Sequence, residues 1–427
     1  MRFSSVLLPA LLPVLVAVGV PLAQPDASSA QTLPTTDPVI RAMWDQGMGE
    51  GSQVESLAQA LLDSIGPRLS GSPHLDRANE WVLHMYDQWG VEARKEQYGT
   101  WIGWDRGFTH IDLVAPRKRT LNGMILAWSP GTDGPVEGEV VALPSFTSEE
   151  AFAQWVQGVE GKFVAFSFPE PTCRAPESWE ELATPESWER MQAIRQQTIQ
   201  AWGEGLQAAG GQRAVIQAIE EAGALGMLTA RWSAGWGANK IFSSQTRTIP
   251  SVHLSCEDYG LVHRLASNEQ GPRMRLDAES EFLGEVPMYN VIGELRGTEL
   301  PDEYVLLTAH LDSWDGASGA TDNGTGSLMM LEAMRILKET YPNPRRTIIV
   351  AHWCAVEQGL IGSRACSEDH PEVVDGLKAA LKQENGTWRV DFVRMQGFLG
   401  AGESFGRWFS QIPDEISGHI ELDIPGI

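Results

Sequence analysis

The chain has 427 residues, too many for one ordinary hydrophobic core, so two or three domains are expected. It carries 32 Lys and Arg against 56 Asp and Glu, which gives a formal net charge of -24. Such a charge repels phosphate backbones and anionic lipids and therefore argues against nucleic-acid and membrane-surface binding. Small molecules or short peptides are the expected partners.

The first residues have the composition of a secretory signal. Arg2 precedes an apolar run that Pro9 and Pro13 interrupt, and small residues follow up to Ala23. We predict a signal peptide over residues 1–23, which is too short and too proline-broken to serve as a membrane anchor. The mature protein is therefore expected to be secreted or periplasmic, with no membrane anchor after cleavage.

Four cysteines are compatible either with disulfides in an oxidising compartment or with buried free thiols, and the sequence does not decide between the two. They lack the close CxxC spacing of a structural zinc site. These residues are Cys173, Cys256, Cys354 and Cys366.

The segment 24–45 is rich in Pro, Ser, Thr and Asp and is interpreted as a linker, with regular structure expected only after Gly51. Apolar residues then recur at helical spacing from Val54 to Ile65, and a second helical pattern ends at Gly90. Strand-like sequence follows. We assign residues 46–121 to the first part of the main domain.

The segment 122–283 contains many short apolar runs separated by Gly and Pro. Its histidines, His253 and His263, do not lie in a cluster of possible ligands. We interpret this segment as an inserted β-rich domain without chemistry of its own.

Residues 284–427 resume the main domain. Two strands, a helix and a further strand, RTIIVAHW, are predicted in that order. This order predicts an α/β fold with a mixed central sheet flanked by helices. Functional sites in open α/β sheets lie at the carboxyl ends of strands.

A dense group of His, Asp and Gly follows the apolar strand YVLLTA. His310 stands at the strand end, Asp312 two residues later, and Asp322 twelve residues after His310. Imidazole and carboxylate are ligands that zinc prefers, and an aspartate can bridge two ions. We predict His310 and Asp322 as metal ligands. Asp312 is predicted to accept the second imidazole N–H, with loop capping as its alternative role.

Two later acidic residues complete the candidate set. Glu357 follows the strand RTIIVAHW, and Glu384 lies in KQENGT. Either residue by itself is more often a solvated surface group than a ligand. Their value as candidates comes from the motifs HLDSWD and TDNGTG upstream.

With these motifs the chain resembles the zinc-dependent aminopeptidases and carboxypeptidases, most closely the carboxypeptidase Q-like branch with an inserted protease-associated domain. The resemblance rests on GPRLSGSP, TIPSVHLS, HLDSWDGASGATDNGTG and EQGLIGSRA. It implies two zinc ions, with His310, Asp322 and Glu384 on one, and with Asp322 and Glu357 on the other. It also identifies residues 122–283 as the protease-associated domain.

The chain departs from the pattern of that family at three places. Val356 occupies the position of the general-base glutamate, and Glu384 stands where an aspartate is usual. A last histidine ligand is expected beyond IELDIPGI, after His419, so the main domain is interpreted as C-terminally truncated, and one zinc or none is a possible content. A general base contributes a factor of about 10²–10⁴ in rate, so weak activity at best is expected.

The leading hypothesis is an exported metallopeptidase-family protein that hydrolyses short peptides with zinc-activated water. The alternative is a catalytically inactive relative, a pseudoenzyme or truncated copy, that binds peptides or metal. Another reaction on the same fold, glutaminyl cyclisation, ranks below both.

Overall fold

A computed structural model describes residues 33–233, 235–239, 241–384 and 386–423. The predicted signal peptide and residues 24–32 of the predicted linker lie outside the described residues. The described chain separates into a large compact unit, residues 42–389, and a small unit made of residues 33–41 and 390–423. The predicted division at residues 122 and 283 stays a prediction.

The helices are, in chain order, α1 (Pro38–Met48), α2 (Val54–Ala58), α3 (Pro73–Gln88), α4 (Glu149–Val156), α5 (Pro176–Leu182), α6 (Pro185–Ala208), α7 (Gln212–Glu221), α8 (Cys256–Ser267), α9 (Thr325–Thr340), α10 (Ile361–Asp369), α11 (Pro371–Gly376), α12 (Ala401–Phe409) and α13 (Asp414–Ser417). Two segments, Gln59–Ile65 and Ala320–Gly324, have π-helical hydrogen bonding.

The strands are β1 (Glu92–Ala115), β2 (Arg119–Thr120), β3 (Gly123–Ile125), β4 (Val136–Ala142), β5 (Phe163–Ala165), β6 (Gly226–Thr229), β7 (Ser251–Leu254), β8 (Arg273–Leu295), β9 (Leu300–His310), β10 (Arg346–Trp353), β11 (Leu377–Lys382), β12 (Phe392–Arg394) and β13 (Glu421–Asp423).

The main sheet of the large unit has the order β11-β9-β10-β8-β4-β5-β6-β7-β3, and β1 pairs with both β8 and β2. Strands β9, β10 and β11 are parallel, whereas β8 runs antiparallel to β10. Helices α3, α9 and α10 pack against these strands. The predicted mixed sheet flanked by helices is therefore confirmed, and so is the predicted strand, strand, helix, strand order of β8, β9, α9 and β10.

Strands β1 and β8 form a long antiparallel ribbon, from the pair Glu92 and Glu294 to the pair Ala115 and Arg273. At one end this ribbon continues through β10 into the strands that carry the candidate site. At its other end β8 pairs with β4. A single hydrogen-bonded sheet therefore connects the first and last parts of the main domain to the strands of residues 122–283.

The main hydrophobic core lies between the sheet and the helices α2, α3 and α9. The predicted helix over 54–65 forms, although its second half is π-helical, and α3 ends before Gly90, which has a positive φ of 67°. The buried side chains that these helices contribute include Leu57, Leu61, Val82, Tyr86, Leu331 and Met334.

The expectation that regular structure begins after Gly51 is wrong, because α1 precedes it. Pro38 is the first helical residue, and the side chain of Asp37 accepts hydrogen bonds from the backbone N–H groups of Val39 (2.8 Å) and Ile40 (3.3 Å). Asp before Pro is a helix-start signature. The same residue types made the segment look like a linker.

Residues 122–283 contain helices α4 to α8 as well as the short strands β3 to β7. Strands β4, β5, β6 and β7 are parallel neighbours, and β3 is antiparallel to β7. Cys173 and Cys256 form a disulfide, whereas Cys354 and Cys366 are free thiols. The two possibilities left open by the sequence therefore both occur, each for one pair of cysteines.

The small unit contains α12, α13 and the parallel pair β12 and β13. His419 belongs to this unit and is exposed. Within the described residues, no helix has both the length and the apolar character needed to cross a membrane.

Candidate metal centre

The parallel strands β9, β10 and β11 bring three predicted ligands to one edge of the sheet. His310 is the last residue of β9, Glu357 follows the end of β10 by four residues, and Glu384 follows the end of β11 by two. Parallel neighbours end on the same side, so residues far apart in sequence become neighbours in space. The sheet topology thereby builds the candidate centre.

The centre is formed around the imidazole of His310, which is 1% exposed. Its Nε2 lies 3.1 Å from Oδ1 of Asp322 and 3.1 Å from Oε1 of Glu384. The three ligand atoms lie within 4.8 Å of one another. A ring nitrogen and two carboxylate oxygens converging on one point are a donor set that suits zinc.

Asp312 is fully buried and faces the other nitrogen of the same ring. Nδ1 of His310 lies 2.9 Å from the backbone carbonyl of Asp312 and 3.4 Å from its carboxylate Oδ1. The carbonyl is the hydrogen-bond acceptor of this ring nitrogen, whereas the carboxylate Oδ1 contributes a nearby negative charge. The other carboxylate oxygen accepts a hydrogen bond from the backbone N–H of Glu357 at 3.1 Å. Asp312 therefore connects the ends of β9 and β10, which includes the loop-capping role considered as its alternative.

Three negatively charged side chains determine the pKa of His310. Burial lowers the pKa of this imidazole, but the three neighbouring carboxylates, Asp312, Asp322 and Glu384, outweigh burial and raise the pKa to about 12. In the metal-free protein both ring nitrogens therefore carry a proton and donate. A metal ion at Nε2 would replace one of these protons.

The loop carrying Asp322 is tied to the loop carrying Glu384. Asn323 is fully buried, and its Nδ2 donates to the backbone carbonyl of Gln383 at 2.8 Å. Gly386 N–H donates to Thr321 O at 3.1 Å, and Thr325 Oγ1 donates to Gly386 O at 2.7 Å. These bonds hold the two carboxylates on either side of His310.

Glu384 has a second partner that sequence reasoning missed. Lys382, at the end of β11, forms a close ion pair with Oε2 of Glu384, while Oε1 faces His310. Burial raises the pKa of Glu384, but its bonds to His310 and Lys382 outweigh burial and lower it to about 2. Because Lys382 is two residues before Glu384, on the same side of an extended chain, the spacing itself could have indicated this pair.

Glu357 lies near the cluster but outside the group of three converging ligands. Burial is the main reason that its pKa is raised to about 7, and the charges of Asp322 and Asp312 raise it further. Its Oε1 is buried without a hydrogen-bond partner among the described residues. A buried carboxylate oxygen without a partner next to other acids is a feature that a cation would satisfy.

Val356 precedes Glu357 and is half-buried. Its side chain packs against the hydrophobic cluster formed by Ile292, Ile349, Ala351 and Trp353. Its carbonyl accepts hydrogen bonds from the N–H groups of Gly359 (3.0 Å) and Leu360 (3.1 Å). The assignment of this valine to the general-base position stays a prediction.

Arg68, in the GPRLSGSP turn, is a buried positioning residue that sequence reasoning did not single out. It is 0% exposed, and its guanidinium donates to backbone carbonyls on both sides of the HLDSWD loop, including Leu311 O (2.6 Å), Ser318 O (2.8 Å) and Gly319 O (2.9 Å). Burial lowers its pKa to about 10, so it remains charged at neutral pH. A charged residue inside a turn between two apolar helices was the available signal.

Ser70, from the same turn, makes a short hydrogen bond from its hydroxyl to Oε1 of Gln358. Gln358 directly follows Glu357. The turn after the first helical segment therefore contacts both loops that carry candidate ligands. This contact gives a physical role to the motif GPRLSGSP.

Comparison with known proteins identifies relatives of this chain. Residues 290–417 match the model of Peptidase family M28. Carboxypeptidase Q from Mus musculus is 26% identical over 329 residues, which are 77% of this chain and 64% of that protein. Carboxypeptidase Q from Xenopus laevis is 27% identical over 353 residues, or 80% of this chain and 66% of the relative. The chain thus spans slightly less than two thirds of these relatives.

Solved structures show the same fold. A peptidase M28 precursor from Shewanella amazonensis superposes with a TM-score of 0.60 at 21% identity, over 90% of this chain and 81% of the other. BSAP, a zinc aminopeptidase from Bacillus subtilis, superposes with a TM-score of 0.51 at 17% identity, over 87% and 79%. The sequence matches confirm the predicted resemblance to a zinc exopeptidase-like family, and the solved structures show that the fold is shared.

Proposed function

We propose that this protein is an exported zinc-dependent exopeptidase of short peptides whose catalytic rate is limited by valine at position 356. One observation supports the zinc centre most directly. Nε2 of His310 lies 3.1 Å from a carboxylate oxygen of Asp322 and 3.1 Å from one of Glu384. In the metal-free protein these three groups share a proton, and their convergence supports a zinc ion at the same place.

The ligand set of the first ion is His310, Asp322 and Glu384. Asp322 and Glu357 are proposed to hold a second ion, with Asp322 shared between the two. Glu357 has the orphaned buried oxygen Oε1 that such an ion would satisfy. Zinc bound at this centre supplies positive charge that polarises the scissile carbonyl and acidifies water.

Other residues of the chain hold the candidate ligands in position. Asp312 holds the His310 ring by its backbone carbonyl, and Arg68 holds the loop that continues from it. What the chain lacks in this proposal is a proton acceptor at position 356, because a valine side chain has no basic atom. The expected loss of rate is about 10²–10⁴-fold relative to a protein with glutamate there.

A second candidate function is that of a metal- or peptide-binding relative without catalysis. Two observations favour it. Val356 is packed into a hydrophobic cluster, and Lys382 already neutralises Glu384 in the absence of a metal. Both features are compatible with a metal centre that has lost its catalytic activity.

The test measures bound zinc and the hydrolysis of unblocked dipeptides by the purified full chain, before and after Val356→Glu. The proposal expects bound zinc, slow turnover by the parent and a rate increase of about 10²-fold or more in the variant. Val356→Gln is the matched control, because glutamine has nearly the same size and shape as glutamate but no basic group. A parent without zinc refutes the zinc centre. A folded, zinc-loaded Val356→Glu variant with no turnover favours the binding function instead.

Export is supported by the sequence of residues 1–23 and by the disulfide between Cys173 and Cys256, since disulfides persist in oxidising compartments. Expression of the full chain should yield a mature protein outside the cytoplasm that begins near residue 24. N-terminal sequencing of that fraction is the direct measurement. Retention of the uncleaved chain in the cytoplasm would contradict export without affecting the zinc proposal.

A further inference from the structure

A second cluster of metal-binding side chains lies apart from the residues of the candidate centre. It consists of Glu96 on β1, Cys366 on α10 and His370 at the junction of α10 and α11. One potential ligand atom of each residue lies within 4.8 Å of the other two. We propose that these three residues form a separate zinc site.

The local backbone places the cysteine and the histidine on one side of α10. The backbone N–H of His370 donates to the carbonyl of Cys366 at 3.0 Å, which is the last helical turn. Side chains at i and i+4 lie on the same face of a helix. Helix α10 packs on β1, which brings Glu96 to this face, and the Cys366 side chain also packs against a buried hydrophobic cluster. The three ligands are therefore held by two rigid elements.

The histidine ring is oriented for coordination. Its Nε2 lies 3.2 Å from Oε2 of Glu96, while its Nδ1 lies 3.1 Å from Oε1 of Glu372. Metal-bound histidines generally donate the other ring N–H to a carboxylate or carbonyl, which fixes the tautomer. Glu372 has that position, so Nε2 is the nitrogen free to bind the ion.

The carboxylate of Glu96 is likewise held in place. Its Oε1 accepts a hydrogen bond from Nε of Arg94 at 2.7 Å, and Oε2 is directed to His370. Arg94 is also 3.6 Å from Glu294, so its charge is shared between two acids. The surroundings remain negative in balance, which favours a cation.

The donor set determines the class of metal. Thiolate, imidazole and carboxylate together suit zinc, whereas calcium and magnesium require oxygen ligands. Zinc binds cysteine as the thiolate, so binding at this site would release the thiol proton of Cys366. Three protein ligands leave the fourth tetrahedral position to solvent.

The site would connect the α10–α11 junction to β1 and so stabilise the edge of the sheet on which α10 packs. It contains the one solvent-accessible free thiol of the described chain, because Cys354 is completely buried and the other two cysteines are joined in a disulfide. Because the centre around His310 has no sulfur ligand, a signal from a metal-bound thiolate reports on the second site alone.

The experiment is a titration of the metal-free full-length protein with Co²⁺, a spectroscopic substitute for zinc, while thiolate-to-cobalt charge-transfer absorption is recorded. In the parent the saturated band should have the intensity of one thiolate-bound Co²⁺ per chain, whatever amount of cobalt the centre around His310 takes up, and excess Zn²⁺ should remove it. Cys366→Ser and His370→Gln should lose the band. Glu372→Gln should weaken binding by about tenfold, as expected for a residue that orients a ligand.

Ser367→Ala on the same helix and His84→Ala on an exposed face of α3 are matched controls that should keep the band at full strength. Circular dichroism of each variant verifies that it is folded. Absence of the band in the folded parent would overturn the proposal. A band of unchanged strength in Cys366→Ser would also overturn it, because it would assign the sulfur ligand to Cys354. Neither result bears on zinc binding at His310.

Discussion

Nη2 of Arg68 donates a hydrogen bond to the backbone carbonyl of Gly319 at 2.9 Å, although the two residues are separated by 251 positions in the chain. Gly319 has a φ of 61°, and a Cβ there would lie 2.5 Å from the Cβ of Ser313. The loop between His310 and Asp322 therefore folds tightly around a buried guanidinium. Arg68, which lies far away in the sequence, therefore holds the loop between the candidate zinc ligands His310 and Asp322.

We predict that Arg68→Met weakens both the fold and the metal centre. Four backbone carbonyls lose a charged donor inside the protein, which should lower the free energy of unfolding by about 3 kcal/mol or more. Urea unfolding measures this change, and zinc titration of the folded fraction should show weaker binding. Arg77→Met replaces an exposed arginine with the same side chain and should have little effect on either quantity. Equal behaviour of the two variants would contradict the positioning role of Arg68.

Gly326, in the first turn of α9, is predicted to be required for stability because Asn323 lies directly against it. A Cβ on Gly326 would lie 2.7 Å from Nδ2 of Asn323, the atom that donates to Gln383 O. Gly326→Ala should therefore displace Asn323 and cost about 1–3 kcal/mol of stability, with weaker zinc binding.

Gly203 in α6 provides the matched control for this substitution, because a Cβ there would meet no atom within 4 Å. Gly203→Ala should raise stability by up to about 1 kcal/mol, as expected for alanine replacing glycine inside a helix. Thermal unfolding of both variants decides the matter. A Gly326→Ala variant as stable as the parent would show that Asn323 can move at no cost.

Lys382 is predicted to compete with zinc for Glu384. Its ammonium group pairs with one carboxylate oxygen while the other faces His310. A half-exposed ion pair contributes about 1 kcal/mol or less, so Lys382→Met should strengthen zinc binding by up to about fivefold. Lys378→Met, on the same strand, is the control and should leave the affinity unchanged. Weaker zinc binding in Lys382→Met would mean that the lysine supports the ligand instead of competing for it.

The sequence predicted those parts of the centre that lie close together in a motif. His310 ends an apolar strand, and Asp312 and Asp322 lie in the loop that follows it, so one motif contains all three residues. Glu384 was predicted through family resemblance, and the parallel pairing of β11 with β9 explains its position beside His310. Strand order is a property of the whole sheet, which local periodicity does not contain.

Contacts that depend on tertiary packing were not predictable in this way. The burial of Arg68, the ion pair of Lys382 and the cluster of Glu96, Cys366 and His370 require knowledge of which elements meet. The helix α1 was missed for a different reason, since Asp and Pro serve both linkers and helix starts. Composition alone does not separate these two uses.

In the metal-free protein, the free energy of unfolding is predicted to depend on pH through Glu357. Burial, together with the charges of Asp322 and Asp312, raises the pKa of Glu357 from 4.5 to about 7. A raised carboxyl pKa means that the folded state holds its proton more tightly than the unfolded state. The corresponding stability is fully present below pH 4.5 and is lost as the pH rises to about 7. Glu357→Gln does not titrate, so its stability relative to the parent should improve over this interval and level off above it.

Urea unfolding of parent and Glu357→Gln, at several pH values and with a chelator present, measures this difference. Asp375→Asn, a neutral replacement of an exposed carboxylate, is the control and should show no such trend between pH 4.5 and 7. Added zinc should stabilise the parent more than Glu357→Gln at pH 7, because the ionised Glu357 then has a cation to bind while glutamine is a poorer ligand. A pH-independent difference between parent and variant would show that Glu357 is solvated as an ordinary surface acid. Equal stabilisation of parent and Glu357→Gln by zinc would exclude Glu357 from the metal centre while leaving its raised pKa intact.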